Sequence, residues 1–105
     1  MPDEATHEID ESEIRWVASS GNYVEIHLRE KRLLHRETLT ALERTLSQER
    51  FLRIHRRWLV NITYIENIRY IADGRYRISI TGGTSLTSSR SFRSRISAFL
   101  AARPS

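Results

Sequence analysis

Residues 51–68 read FLRIHRRWLVNITYIENI, and whether this stretch is strand or loop decides the fold. Phe51, Leu52 and Ile54, followed by Trp58, Leu59 and Val60, form an apolar run that asks for burial. Arg53, His55, Arg56 and Arg57 interrupt it with more charge than a buried strand accommodates. An ordinary solvated loop, conversely, has no use for so much apolar surface. The stretch therefore reads as a strand over FLRIH that ends where Arg56 and Arg57 begin, held rigidly and pointed at a partner.

Outward from this segment the period-2 signal dominates. On the N-terminal side, IRWVASSGNYVEIHL gives two short strands around the Ser-Ser-Gly-Asn turn signal. Within it Val24, Ile26 and Leu28 alternate with Tyr23, Glu25 and His27, as a half-buried strand requires. KRLLHRE supplies a further short strand after the charged turn at residues 29–31. Leu39, Leu42 and Leu46 then recur at helical spacing, and Thr40 with Glu43 has the capping-box spacing, so a short amphipathic helix is expected over 39–48. On the C-terminal side, Asp73-Gly74 and Gly82-Gly83 are hairpin signals. Between them Tyr76, Ile78 and Ile80 alternate with Arg75, Arg77 and Ser79, the pattern of an antiparallel meander with one wet face. Residues 91–102 return to helical spacing, with Phe92, Ile96, Phe99 and Leu100 on one side. The fold class expected is mostly β: an antiparallel sheet domain with one or two short helices.

Length and composition bound the rest. A chain of 105 residues with 39% hydrophobic and 29% charged side chains fits one globular domain with a modest core. Residues 1–12 are expected to be a flexible acidic lead, 13–102 the domain, and 103–105 a tail. There is no cysteine, which excludes disulfides and thiolate metal sites and suits a reducing compartment. No apolar run approaches the roughly 18–20 residues that span a bilayer, and the acidic N-terminus lacks a signal-peptide pattern. A cytoplasmic protein with no membrane segment is expected.

The charge is unevenly spread. Residues 1–13 hold six of the thirteen acidic side chains and no Lys or Arg, leaving 17 basic against 7 acidic in the remainder, a net of about +10. Sixteen of the seventeen basic residues are arginine. A GC-rich genome alone can produce that preference, so the charge excess carries the inference of an anionic partner. Enzyme readings find little support. The histidines are scattered, with only His27 and His35 able to approach across a hairpin as a metal pair, and hydrogen-bonded structural roles suit them better. No Ser-His-Asp arrangement or glycine-rich phosphate loop stands out, and no catalytic residue, cofactor or metal is expected. The arginines differ in sitting at strand ends: Arg56 and Arg57 after FLRIH, and Arg90 after Thr87-Ser88-Ser89, with Asn22 in the turn before Tyr23.

Taken together, SGNYVEIHL, RETLTALERTL, FLRIHRRWLVNITYIENI and SLTSSRSFRSRI resemble the LytTR DNA-binding domain of bacterial response regulators, in order and spacing, over about residues 9–100. The resemblance implies an elongated antiparallel β domain that reads double-stranded DNA with loops entering two successive major grooves and the minor groove between them. Carried over by position, the base contacts fall on Asn22, Arg56 and Arg90, chemistry that suits adenine and guanine edges. Phe51, Ile54, Trp58, Leu59 and Val60 would anchor the central segment, with Asn61 fixing a turn by hydrogen bonding. Arg53 and His55 become framework groups or phosphate contacts, and Arg57 and Arg93 auxiliary contacts. Arg57 departs from the family, which usually has a small hydroxyl residue there. The resemblance also implies direct-repeat promoter sites occupied by two copies, and fusion to a receiver or membrane segment. Relatives commonly carry a further strand before the position of His7 to Asp10, where this chain has a short acidic lead. Two other readings remain open from the residues alone. One is an interaction module that pairs with another regulator through a sheet edge; the other is RNA or general nucleic-acid binding, with Tyr23, Trp58 and Tyr76 stacking on bases.

Overall fold

The computed structural model describes residues 9–103; most of the acidic lead (residues 1–8) and the last two tail residues lie outside the described part. Eight strands and two helices follow in the order β1 (Trp16–Ser20), β2 (Tyr23–His27), β3 (Arg32–Arg36), α1 (Leu39–Thr45), β4 (Phe51–His55), β5 (Trp58–Asn61), β6 (Ile65–Ala72), β7 (Arg75–Ile80), β8 (Thr84–Thr87) and α2 (Arg93–Ala102). Single 3₁₀ turns cover Glu11–Glu13, Ile62–Tyr64 and Arg90–Phe92. The strands form two antiparallel sheets, one ordered β3-β2-β1-β5-β4 and one ordered β6-β7-β8. The described chain measures 46 × 27 × 23 Å, so the mostly-β, elongated expectation holds.

The opening stretch is a hairpin, β4 and β5 joined by the two-residue turn Arg56-Arg57. Both of its faces are covered, which explains the density of apolar residues. Phe51 and Leu59 face one core, shared with Val17, Val24, Ile26 and the Leu39 and Leu42 face of α1. Leu52, Ile54 and Val60 face a second core, shared with Ile78, Ile80 and Leu86 of the three-stranded sheet and Ile96 of α2. Ile54, Leu59 and Val60 have no exposed surface. Truncating any of them to alanine belongs to the large-to-small class that costs about 2–5 kcal/mol. The hairpin is thus the wall between two cores.

Each sequence-derived element forms, with two boundary differences. The helix expected over 39–48 stops at Thr45, and its cap is Thr38, whose Oγ1 accepts from the Ala41 N–H at 3.1 Å. Thr40 lies inside the helix and is exposed, while Glu43 turns to Arg53, so no capping box forms between them. The C-terminal helix begins with the tight turn Arg90–Phe92 before α-geometry starts at Arg93. Asp73-Gly74 makes the expected β6–β7 hairpin, with φ of 55° and 75°, the left-handed pair whose twist matches the flanking strands. Asn61 is a turn-fixing residue and also a strap: its Oδ1 accepts from Thr63 N–H at 3.0 Å and its Nδ2 donates to Ile14 O at 2.9 Å. The β2–β3 register pairs Val24 with His35 and His27 with Arg32, so the two histidines fall three rungs apart on opposite faces and form no pair.

Candidate nucleic-acid interface

Strand register brings the separate loop positions to one side of the molecule. In the β1–β5 pairing Ala18 lies opposite Trp58, and the Ser19 N–H donates to Arg57 O at 2.8 Å. The β1–β2 turn that carries Asn22 is therefore next to the β4–β5 turn that carries Arg56 and Arg57. On the far side of β4, the Ser89 N–H donates to Ile54 O at 3.0 Å, which stitches the end of β8 to the end of β4 and sets Arg90 one residue beyond. Ser88, 2% exposed, clamps this junction to β7: its N–H donates to Tyr76 O at 2.8 Å and its Oγ accepts from Tyr76 N–H at 2.9 Å. The row ends at the β6–β7 turn, where the Arg93 stem crosses Gly74. A Cβ added at Gly74 would stand 2.8 Å from Arg93 Cδ. Asn22, Arg56, Arg57, Arg90 and Arg93 are all exposed along this row. Among the described residues none of these four arginines has a carboxylate within 4.0 Å.

Arg53 is the exception, and of its two expected roles, framework group or phosphate contact, its geometry suits the first. It is 7% exposed. Nη1 meets Glu43 Oε1 at 2.7 Å, Nε donates to His55 O at 2.8 Å, and Nη2 donates to Arg56 O at 2.6 Å. Alternation along β4 puts the side chain on the α1 face, where desolvation demands a full set of partners. Arg53 is a framework residue: it ties the backbone of the Arg56 turn to helix α1. The same Glu43 also meets Arg95 of α2 at 3.2 Å, and the Phe92 ring lies 5.7 Å from the Arg53 guanidinium carbon. Sequence reading missed Glu43 and Arg95, since only the fold shows which carboxylate meets Arg53.

The turn itself takes an unusual form for two residues. Among the described residues only Asp73 combines a side chain with positive φ, so Arg56 and Arg57 both keep negative φ. A right-handed turn of this kind splays a hairpin, and a bulge between Arg53 and His55 absorbs the mismatch. Arg53 holds two of the turn carbonyls, Ser19 the third, and the His55 Nδ1 accepts from Arg57 N–H at 3.1 Å. Arginine side chains can therefore occupy both turn positions without backbone strain, on a backbone held by four hydrogen bonds from three residues.

His55 must be neutral at Nδ1 to accept that bond. Burial, chiefly, and then the neighbouring Arg56, Arg57 and Arg53 hold its pKa below the ordinary 6.5. His27, stacked 3.9 Å from Trp16, is also held low, again mainly by burial, against the opposing effect of Glu25. Both histidines thus bind protons more weakly in the folded chain than in the unfolded one. Their contribution to stability is complete above about 6.5 and is lost as pH falls from there towards the folded values. The melting temperature is expected to drop between about pH 7.5 and 5.5, and less so in His55→Asn, whose Oδ1 can accept the same bond. Thermal melts across that range check this; an unchanged or rising melting temperature would contradict it.

Comparison with protein families finds that the LytTr DNA-binding domain model matches residues 4–101. The chain belongs to the LytTr DNA-binding domain family. A solved LytTr DNA-binding domain from Bacillus cereus superimposes with a TM-score of 0.82 at 22% identity, covering 88% of this chain and 84% of that one. No curated protein sequence gave a match. DNA binding in the service of transcription regulation is thereby the role of this domain class, and no described helix is long and apolar enough to cross a membrane.

Proposed function

We propose that this chain reads double-stranded DNA by sequence, with Asn22, Arg56 and Arg90 on base edges. Arg57 and Arg93 act as auxiliary contacts to the backbone. His55 acts through the turn whose N–H it accepts. The carrying observation is the alignment of three strand-end junctions along one side, each with an exposed polar side chain and the last two with a hydrogen-bonded backbone. The β1–β2 and β4–β5 turns lie two strand spacings apart, roughly 10 Å. Arginine pairs in bidentate fashion with guanine O6 and N7, and asparagine with adenine N6 and N7.

In this reading the protein is the output part of a cytoplasmic bacterial regulator that receives its signal from a receiver domain or partner. The similar Bacillus cereus domain is described as part of a response regulator. Two copies then occupy a direct-repeat promoter site. Selection of bound sequences from a random duplex library, at moderate salt, tests the proposal. Enrichment of a short motif, repeated about one or two helical turns apart, is expected. Binding without enrichment would reduce the arginines to bulk charge and end the base-reading assignment.

A pairing module is the second reading, favoured by β3. Among the described residues it forms a free sheet edge, and it carries Leu34 at 67% exposure. Symmetric self-pairing centred on Leu34 would set Arg32 against Arg36, so the edge suits a different partner better than a second copy. Absence of duplex binding together with capture of such a partner would favour it. Single-strand stacking fares worse, because Trp58 is half-buried against His55 at 4.5 Å and Tyr76 against Tyr70 at 5.3 Å.

A further inference from the structure

The outer face of the three-stranded sheet carries a second cationic surface, separate from the loop row. Antiparallel register sets Arg69 of β6 directly opposite Arg77 of β7, and Arg77 opposite Thr87 of β8. Asn67, Ser79 and Ser85 form the next rung on the same face, and Arg75 precedes Arg77 by two residues towards the β6–β7 turn. No residue of these rungs is acidic. Among the described residues neither Arg69 nor Arg77 has a carboxylate within 4.0 Å, and both are exposed. Like charges directly opposite across two strands destabilise a sheet. The free protein therefore carries a repulsive pair that a single Thr or Glu would relieve, on a face that contributes nothing to either core.

We infer that Arg69 and Arg77, with Arg75, bind the phosphodiester backbone of duplex DNA flanking the groove that Arg90 enters. This deepens the reading proposed above and rests on it. Placement supports the assignment. Arg77 pairs with Thr87, three residues before Arg90, and stands only two residues beyond Arg75. At about 3.4 Å per residue that is roughly 7 Å from the end of the strand, a distance a guanidinium on its aliphatic stem can span. Cross-strand partners lie about 5 Å apart at the backbone. Successive phosphates of one DNA strand advance about 3.4 Å along the helix axis and also wind around it, a spacing that two long, flexible stems can match. Two guanidiniums side by side can take two consecutive phosphates, which would also neutralise their mutual repulsion. With the loop row taking the grooves, arginines beside it meet the sugar-phosphate backbone, where contacts fix position and carry no sequence information.

The test is salt-dependent binding of Arg69→Thr/Arg77→Thr to two duplexes, the selected motif and a random sequence, beside Arg56→Ala and Arg90→Ala as controls. Threonine suits a strand, and the double variant is expected to melt no lower than the parent because the repulsive pair is gone. Affinity should fall by the same factor on both duplexes, and the slope of log affinity against log salt should shrink by roughly 1–2. Arg77→Glu should melt higher than the parent while binding DNA less tightly. Unchanged affinity and slope, with the controls weakened, would overturn this inference alone. Loss confined to the selected motif would also overturn it, by making the pair a sequence contact. If neither the double variant nor the controls change binding, the loop-reading proposal falls as well.

Discussion

Arg53→Leu is expected to lower folding stability by about 2–3 kcal/mol, somewhat below the 3–5 kcal/mol typical of breaking a fully buried ion pair. The discount reflects Glu43, whose side chain keeps 23% exposure and retains Arg95 at 3.2 Å. Leucine also strands the carbonyls of His55 and Arg56, each of which accepts a hydrogen bond from Arg53. For a domain of this size the melting temperature should fall by roughly 10–20 °C. Function should suffer beyond stability, because the turn that presents Arg56 and Arg57 loses the side chain that ties it to α1. At a temperature where the variant is fully folded, its affinity for a selected duplex should fall more than its affinity for random duplex. Arg53→Lys makes a useful companion, since it restores the charge opposite Glu43 but cannot reproduce the fork that reaches both carbonyls. A drop in stability under about 1 kcal/mol, with intact discrimination, would show that the turn is fixed without Arg53.

Arg90→Ala should leave the melting temperature nearly unchanged and cost about 1–3 kcal/mol in binding to the selected duplex, with specificity relaxed at one base position. The side chain is exposed, and its backbone is placed by neighbours it does not touch: Ser89 on Ile54, and Ser88 on Tyr76. Truncation therefore removes a contact without moving the loop. Equal weakening on selected and random duplexes would make Arg90 a phosphate contact. A large loss of stability would instead give it a structural part, which the absence of a side-chain hydrogen bond among the described residues argues against.

Much of this fold was legible because its signals are local. The Asp73-Gly74 turn, the alternation of Val24 and Ile26, and the Leu39–Leu42 spacing each follow from a few adjacent residues. The β4–β5 hairpin was less legible. Arg56-Arg57 carries no left-handed turn residue, and the bulge that makes such a turn possible has no sequence signal. The double burial of FLRIH masked its hairpin character, since the run faces two cores instead of one core and solvent. At the interface the exposed positions could be carried over by motif, whereas the separation of Arg53 from Arg56 and Arg57 could not. Three arginines in five residues look alike in sequence. Only the packing of α1, which brings Glu43 over β4, assigns one to the framework and leaves two on the surface. The Arg69–Arg77 pair likewise depends on register, which the bulge between Tyr70 and Ala72, next to the turn, sets.

The most direct measurement takes the selected duplex, makes every single-base variant of one half-site, and determines the affinity of the parent chain, Asn22→Ala, Arg56→Ala and Arg90→Ala for each. Each variant is expected to lose discrimination at its own position and keep it elsewhere. The three positions should be ordered along the DNA as the turns are ordered along the protein, with Asn22 and Arg90 at the ends and Arg56 between them. Uniform weakening of all three variants at every position, or three losses falling on one base pair, would contradict a row of loops that reads successive grooves.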